Sequence, residues 1–218
     1  MTDRAIAPLV WRALLAAART PAMWAVVGVQ VGLLSSYLLV WGDGVPLVGA
    51  RPVLDQFATV QWVFLGLALP WAAIRCGAAW RRDEVAQMAV LGAVRPSVVV
   101  GANVVALGLL LLAVALTGLP FAILAQQISA APAADLWQSQ LPHYALSLCV
   151  AAVAAACMLV IANRLFAWTV STALTVGLIV LAPAGMAGGA VLLTFGALVY
   201  AVTVSGADRR FWYLSEQH

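Results

Sequence analysis

Apolar positions along this chain gather into six long runs separated by short polar breaks, with no sustained apolar–polar alternation. Crossing the hydrocarbon core of a bilayer takes about 20 mostly apolar residues of helix. The runs predict six transmembrane helices at 22–41, 57–80, 98–119, 143–162, 165–182 and 186–206, with Arg75 the single formal charge inside any of them. The fifth is the shortest. It reads either as a tilted span or as half of a re-entrant hairpin, because Pro183-Ala184-Gly185 leaves only a tight turn before the sixth. The longest stretch between spans, Pro120 to Pro142, reads as a connection outside the hydrocarbon. His143, at its end, is expected to be a wet residue at the interface.

Residues 1–21 follow a different period. On a helical wheel Arg4, Arg12 and Arg19 share one narrow arc, with Ile6, Val10, Ala13, Leu14 and Ala17 roughly opposite. This is the pattern of an amphipathic helix lying in the membrane interface, with Trp11 at its border. Two arginines break the apolar stretch and no small-residue cleavage site follows, so a cleaved signal peptide is not expected. Between the second and third spans, residues 81–96 begin with Asp83 and Glu84 and end in Arg95. That charge order suits the dipole of a short helix. Val85, Met88, Ala89 and Gly92 would form its apolar edge.

Composition agrees with lipid as the main solvent. Only 9% of residues are charged and 65% are hydrophobic, against roughly 25% charged in a soluble domain; the mean hydropathy is +1.02. All eleven basic residues are Arg, which excludes lysine chemistry, including the phosphate-binding Lys of a P-loop. Nine of them (4, 12, 19, 81, 82, 95, 164, 209 and 210) fall on one side of a six-span arrangement, and Arg51 falls alone on the other. The positive-inside rule then puts both termini, including the 207–218 tail, in the cytoplasm. Arg75 is close enough to that side to snorkel. A net charge of +3 with arginines at span ends fits membrane orientation, not nucleic-acid binding. Cys76, Cys149 and Cys157 lie in apolar runs with no Cys-x-x-Cys pair, so packing is expected of them rather than metal or disulfide.

Gly28 and Gly32, and Gly185 and Gly189, form Gly-x-x-x-Gly pairs, a signal for close approach of membrane helices. Polar residues within spans are the candidates for a translocation path: Gln30 and Ser36 in the first, Gln61 in the second, Thr172 and Thr175 in the fifth. There is no Ser/His pair, no His-Glu-x-x-His and no pair of intramembrane Asp residues, so no catalytic or metal site is expected on this chain.

The order of elements resembles the membrane subunits of type-2 ATP-binding-cassette (ABC) exporters: an N-terminal interfacial helix, two spans, an acidic-headed cytoplasmic helix, then a Gly-containing third span. The resembling residues are Arg82-Asp83-Glu84, the turn from Met88 to Leu91, Leu91-Gly92-Ala93-Val94-Arg95-Pro96, and Gly101. The chain departs from the pattern at Val85-Ala86-Gln87 and at Gly101-Ala102, and keeps only a short turn where many members carry helices between the last two spans. The resemblance implies an all-α permease in a bacterial cytoplasmic membrane. It implies a coupling helix (Asp83, Glu84, Val85, Met88, Leu91, Arg95) that docks a separate cytoplasmic ATPase carrying ATP and Mg, and a second permease chain as partner. The alternative is a membrane scaffold or assembly subunit that uses the same interfacial helices only to anchor partners. An ATP-independent carrier, with broken helices at midplane, ranks below both.

Overall fold

The computed structural model describes residues 3–42, 50–77, 95–161, 163–181 and 186–215. Among them the chain forms helices α1 (Asp3–Ala18), α2 (Pro21–Gly42), α3 (Ala50–Gly77), α4 (Pro96–Leu116), α5 (Leu119–Ser129), α6 (Ala133–Val160), α7 (Arg164–Leu181) and α8 (Met186–Ser215). Six stretches are long and apolar enough to cross a membrane: Pro21–Val40, Leu54–Cys76, Pro96–Ser129, Ala133–Val160, Arg164–Leu181 and Met186–Ala207. The result is an all-α bundle with the multi-pass pattern predicted from the apolar runs.

Its surface and interior are sorted as lipid would sort them. Large apolar side chains point outward, Val180 at 76% and Leu181 at 81% exposure among them, while Gln30, Gln61, Gln140, His143, Ser171 and Thr175 are buried. A protein in water hides the first set and shows the second. α7 makes the inversion plain. Its buried residues are Ala167, Ser171 and Thr175, a stripe at four-residue spacing, while Leu165, Phe166, Leu174 and Val176 face out. Asn163 starts this helix, its Oδ1 accepting from the backbone N–H of Leu165 at 2.9 Å, a normal N-cap.

The tightest pair is α6 with α8, which run parallel. A Cβ added to Gly196 would lie 3.0 Å from the Cα of Cys149, and one added to Gly189 would lie 3.6 Å from the Cα of Pro142. The two glycines and their two partners are each seven residues apart, so the contact repeats once every two turns. Small residues that let backbones touch are the usual device for holding membrane helices together, since lipid offers no hydrophobic drive. The pair Gly28 and Gly32 does not serve this purpose within the chain: both are exposed and an added Cβ at either meets nothing within 4 Å.

The third and fourth spans depart from the sequence expectation. Pro120 to Pro142 is not a loose connection. Pro120 takes one of the first positions of α5, where its missing N–H costs nothing. α5 ends at Ala130, in the left-handed conformation with φ 50°. Pro132 is the N-cap of α6 and Pro142 sits within that helix. Membrane helices tolerate interior proline because neighbours re-satisfy the freed backbone. α5 and the start of α6 fold back to close one end of the bundle, packing Ala122, Ala125 and Leu136 against Leu34, Leu54 and Phe57.

At the opposite end α1 packs along α4 and reaches α3. Ala13 and Ala17 are buried, whereas Trp11, Arg12 and Arg19 are exposed. The Trp24 indole donates to the Ala18 carbonyl at 2.9 Å, and the Thr20 hydroxyl lies 3.0 Å from Cys76 Sγ near the end of α3. Ala13 and Ala17 of the wheel's apolar arc are therefore covered by protein, whereas Ile6 is exposed.

Candidate functional site

Polar side chains from three helices meet inside the apolar bundle. Gln30 of α2 and Gln61 of α3 are 1% and 0% exposed. Both reach Gly118, the residue that joins α4 to α5. A Cβ added there would lie 3.0 Å from Gln30 Nε2 and would collide with Gln61 Nε2. Glycine at 118 is thus what leaves room for both amides beside the joint of α4 and α5. Gln140 and His143, one turn apart on α6, are both fully buried, and His143 packs against the same helix α3. The His143 Nε2 lies 3.1 Å from the Ala58 carbonyl oxygen, and its ring sits 4.8 Å from that of Trp62. Ala58, Gln61 and Trp62 occupy one face of α3 by their spacing, so the imidazole and the glutamines share a level in the bundle.

None of these groups is fully satisfied among the described residues. Both amide atoms of Gln30, Gln61 and Gln140, and His143 Nδ1, have no hydrogen-bond partner. Leaving such a group buried and unpaired costs about 1–3 kcal/mol, and apolar packing would avoid the cost. With the Nε2–H tautomer donating to Ala58, Nδ1 is an acceptor, and each glutamine offers both donors and an acceptor. The cluster carries no formal charge. It can bind hydrogen-bonding groups of a neutral solute, and it offers no counter-ion to a charged one. No group of three or more His, Cys, Asp or Glu that could hold a metal exists among the described residues.

Of the residues predicted from sequence, the structure brings Gln30 and Gln61 together. Ser36 lies on the outer face of α2, its hydroxyl donating to the Gly32 carbonyl at 2.8 Å. Thr172 and Thr175 form a second group on α7: Thr175 donates to the Ser171 carbonyl at 2.8 Å, while the Ser171 and Thr172 hydroxyls and the Trp168 indole N–H are buried without partners. Between the groups, Ile179 Cδ1 presses on Gly66, 2.7 Å from where a Cβ would stand. Gln61 lies five residues to one side of that contact and Thr175 four to the other. The two groups are therefore about 13 Å apart along the bundle, from the 1.5 Å helical rise.

Asp83, Glu84, Val85, Met88 and Leu91 lie outside the described residues; Arg95 is exposed at the N-cap of α4. Gln140 and His143 escape the sequence reading because Pro142 marks a boundary there. In the structure His143 is interior, not wet, because α6 begins at Ala133, nearly three turns earlier, and carries it into the bundle. The available signal is the spacing of Gln140, His143 and Ser147, which puts three polar residues on one helical face.

Comparison with protein-family profiles, with curated proteins and with solved structures gives no match.

Proposed function

We propose that this chain is the membrane subunit of an ATP-driven exporter of the ABC kind. It forms the translocation path with a second permease chain, and a separate ATPase docks on the segment from Asp83 to Arg95. The observation that carries the reading is the position of α1. This helix lies along α4 and is tied to α3 through Thr20 and Cys76, so it links the two helices that bracket residues 78–94. A load applied to that segment passes into α3 and α4. Those helices hold Gln61 and lead into Gly118, the residue that both buried amides approach. The unpaired amides, unfavourable in a bundle that only needs to be stable, support a path lined for a polar solute. ATP and Mg belong to the partner; this chain supplies the docking segment and the path.

The test is Met88→Asp. A charge placed on the apolar edge of the docking segment resists burial in a protein contact, while insertion still depends on the spans and their arginines. The variant is expected to insert normally and to lose the co-purifying ATPase, with Glu84→Ala milder because a rim charge mostly tunes association rate. The isolated chain is expected to bind no nucleotide. If Met88→Asp keeps full ATPase binding and hydrolysis, the docking role fails and the scaffold reading replaces it.

A further inference from the structure

α1 and α3 end, and α2 begins, at one corner of the bundle. The contact that pins this corner joins Thr20 Oγ1 to Cys76 Sγ at 3.0 Å. An arginine precedes each partner, Arg19 before Thr20 and Arg75 before Cys76, and both are exposed. Each arginine Cα is one step of about 3.8 Å from a member of the contact. Two helices independently put the corner at an edge of the apolar layer: one span begins at Pro21, directly after Thr20, and another ends at Cys76. Trp24, 67% exposed, lies against the end of α1 through its indole bond to the Ala18 carbonyl. Exposed tryptophan beside arginine at a span end is the chemistry of the interfacial layer.

Arg75 does not run outward from that edge. Its guanidinium lies 5.9 Å from the ring centre of Trp71, four residues back along α3 and so on the span side of the edge. A full charge facing lipid at that depth calls for an opposite charge beside it. The acids with described side chains do not supply one. Asp55 stands twenty residues earlier on α3, about 30 Å away, and Asp135 lies at that same far end, where Leu136 packs with Leu54. Helix dipoles cancel little. α1 and α3 bring their negative ends and α2 its positive one, about half a charge each against two whole ones.

We infer that Arg19 and Arg75 together hold the phosphate of one anionic phospholipid in the leaflet on the Arg-rich side. The phosphate oxygens accept from both guanidinium groups, and the acyl chains continue into the apolar layer past Trp71. Depth selects the carrier of the charge. A soluble ion or an acidic protein stays on the water side of the edge, whereas a lipid holds its phosphate at the edge with its chains already in hydrocarbon. The inference does not depend on the exporter reading.

Native mass spectrometry of the full chain in detergent tests it, with palmitoyl-oleoyl phosphatidylglycerol as the probe and phosphatidylcholine of the same chains as the zwitterionic comparison. Arg19→Gln and Arg75→Gln are each expected to weaken the tightest phosphatidylglycerol adduct about threefold, the scale of an exposed charge pair, with a smaller loss for phosphatidylcholine. The double variant should fall short of the product, about ninefold, because both side chains grip one phosphate and their effects couple. Arg164→Gln, which removes the same charge from the exposed start of α7, should leave the adduct unchanged. Losses that multiply overturn the inference, since the two arginines then bind separate headgroups. So does an equal loss in Arg164→Gln or with phosphatidylcholine, which reduces the effect to net charge or to lipid in general. Unchanged binding in both single variants also overturns it, and makes Asp83 and Glu84 the groups to test as the counter-charge. Displacement of the lipid by equimolar inorganic phosphate overturns it in favour of a free ion. If Arg75→Gln does not fold, Arg19→Gln against Arg164→Gln decides, and equal losses there overturn it.

Discussion

Gly196 and Gly28 are both helical glycines in apolar surroundings, and the structure gives them opposite weight. At Gly196 any side chain meets the backbone of Cys149, which cannot swing aside. Gly196→Leu should destabilise the bundle by about 2 kcal/mol, the usual cost of forcing extra volume into a packed contact. Gly28→Leu meets nothing and should stay within about 0.5 kcal/mol of the parent. Thermal unfolding of both in detergent checks the contrast. Gln61 makes a complementary case. Gln61→Leu removes two unpaired amide atoms from a fully buried site, and deleting an unsatisfied polar group is neutral or stabilising. Melting temperature should hold or rise, while on the proposed exporter role transport by the assembled complex falls. A drop in stability would mean that the amide is structural.

At the level of elements, α7 has two faces with opposite tolerance. Leu174 lies near its centre on the outer face and Thr175 beside it on the inner face. Leu174→Arg should cost about 2.5–3.5 kcal/mol of insertion, the penalty of an arginine at a helix centre in the membrane, whereas Thr175→Val should insert normally. Glycosylation mapping of α7 in a tandem-helix host measures both. The elements also show what was legible in the sequence. Span number followed from run length alone, because a run of about 20 apolar residues has few other uses. Of the apolar arc read in α1, Ala13 and Ala17 are buried while Ile6 is exposed, because the helix meets α4 along only part of its length. The α5–α6 turn was not legible, since Pro120, Pro132 and Pro142 look like three breaks. Only their positions, two at helix starts and one inside α6, reveal that helix continues through the region. That misreading put His143 in water and hid Gln140, half of the buried polar cluster.

For the whole molecule the arginine distribution predicts a side for each end of the bundle. Cys76, Cys149 and Cys157 are buried, so the parent chain should not react with a membrane-impermeant maleimide and can serve as its own blank. Gln138→Cys, exposed near the start of α6, should label in intact cells. Ser97→Cys, near the start of α4, should label only after the membrane is opened. Labelling of Ser97→Cys from outside would overturn the orientation. The same view separates firm from loose parts. α6 is the most enclosed span, and α8, though it buries only 22% of its apolar window as α2 does and α7 17%, is held to α6 by backbone contact at Gly189 and Gly196. Movement that draws Gln30 away from Gly118 has the lightly buried α2 available to it at low cost, while α6 and α8 stay paired.

The seven-residue match between Gly189–Gly196 and Pro142–Cys149 also has a consequence in time. α6 leaves the ribosome well before α8, with the whole of α7 made between them. At about 5–20 residues per second, the interval between residue 160 and residue 196 is roughly 2–7 s. Through that interval the bare face of α6 waits in lipid with its partner unmade. A chain interrupted before Met186 would present that face unpaired, the kind of defect by which membrane quality control can tell an unfinished chain from a finished one.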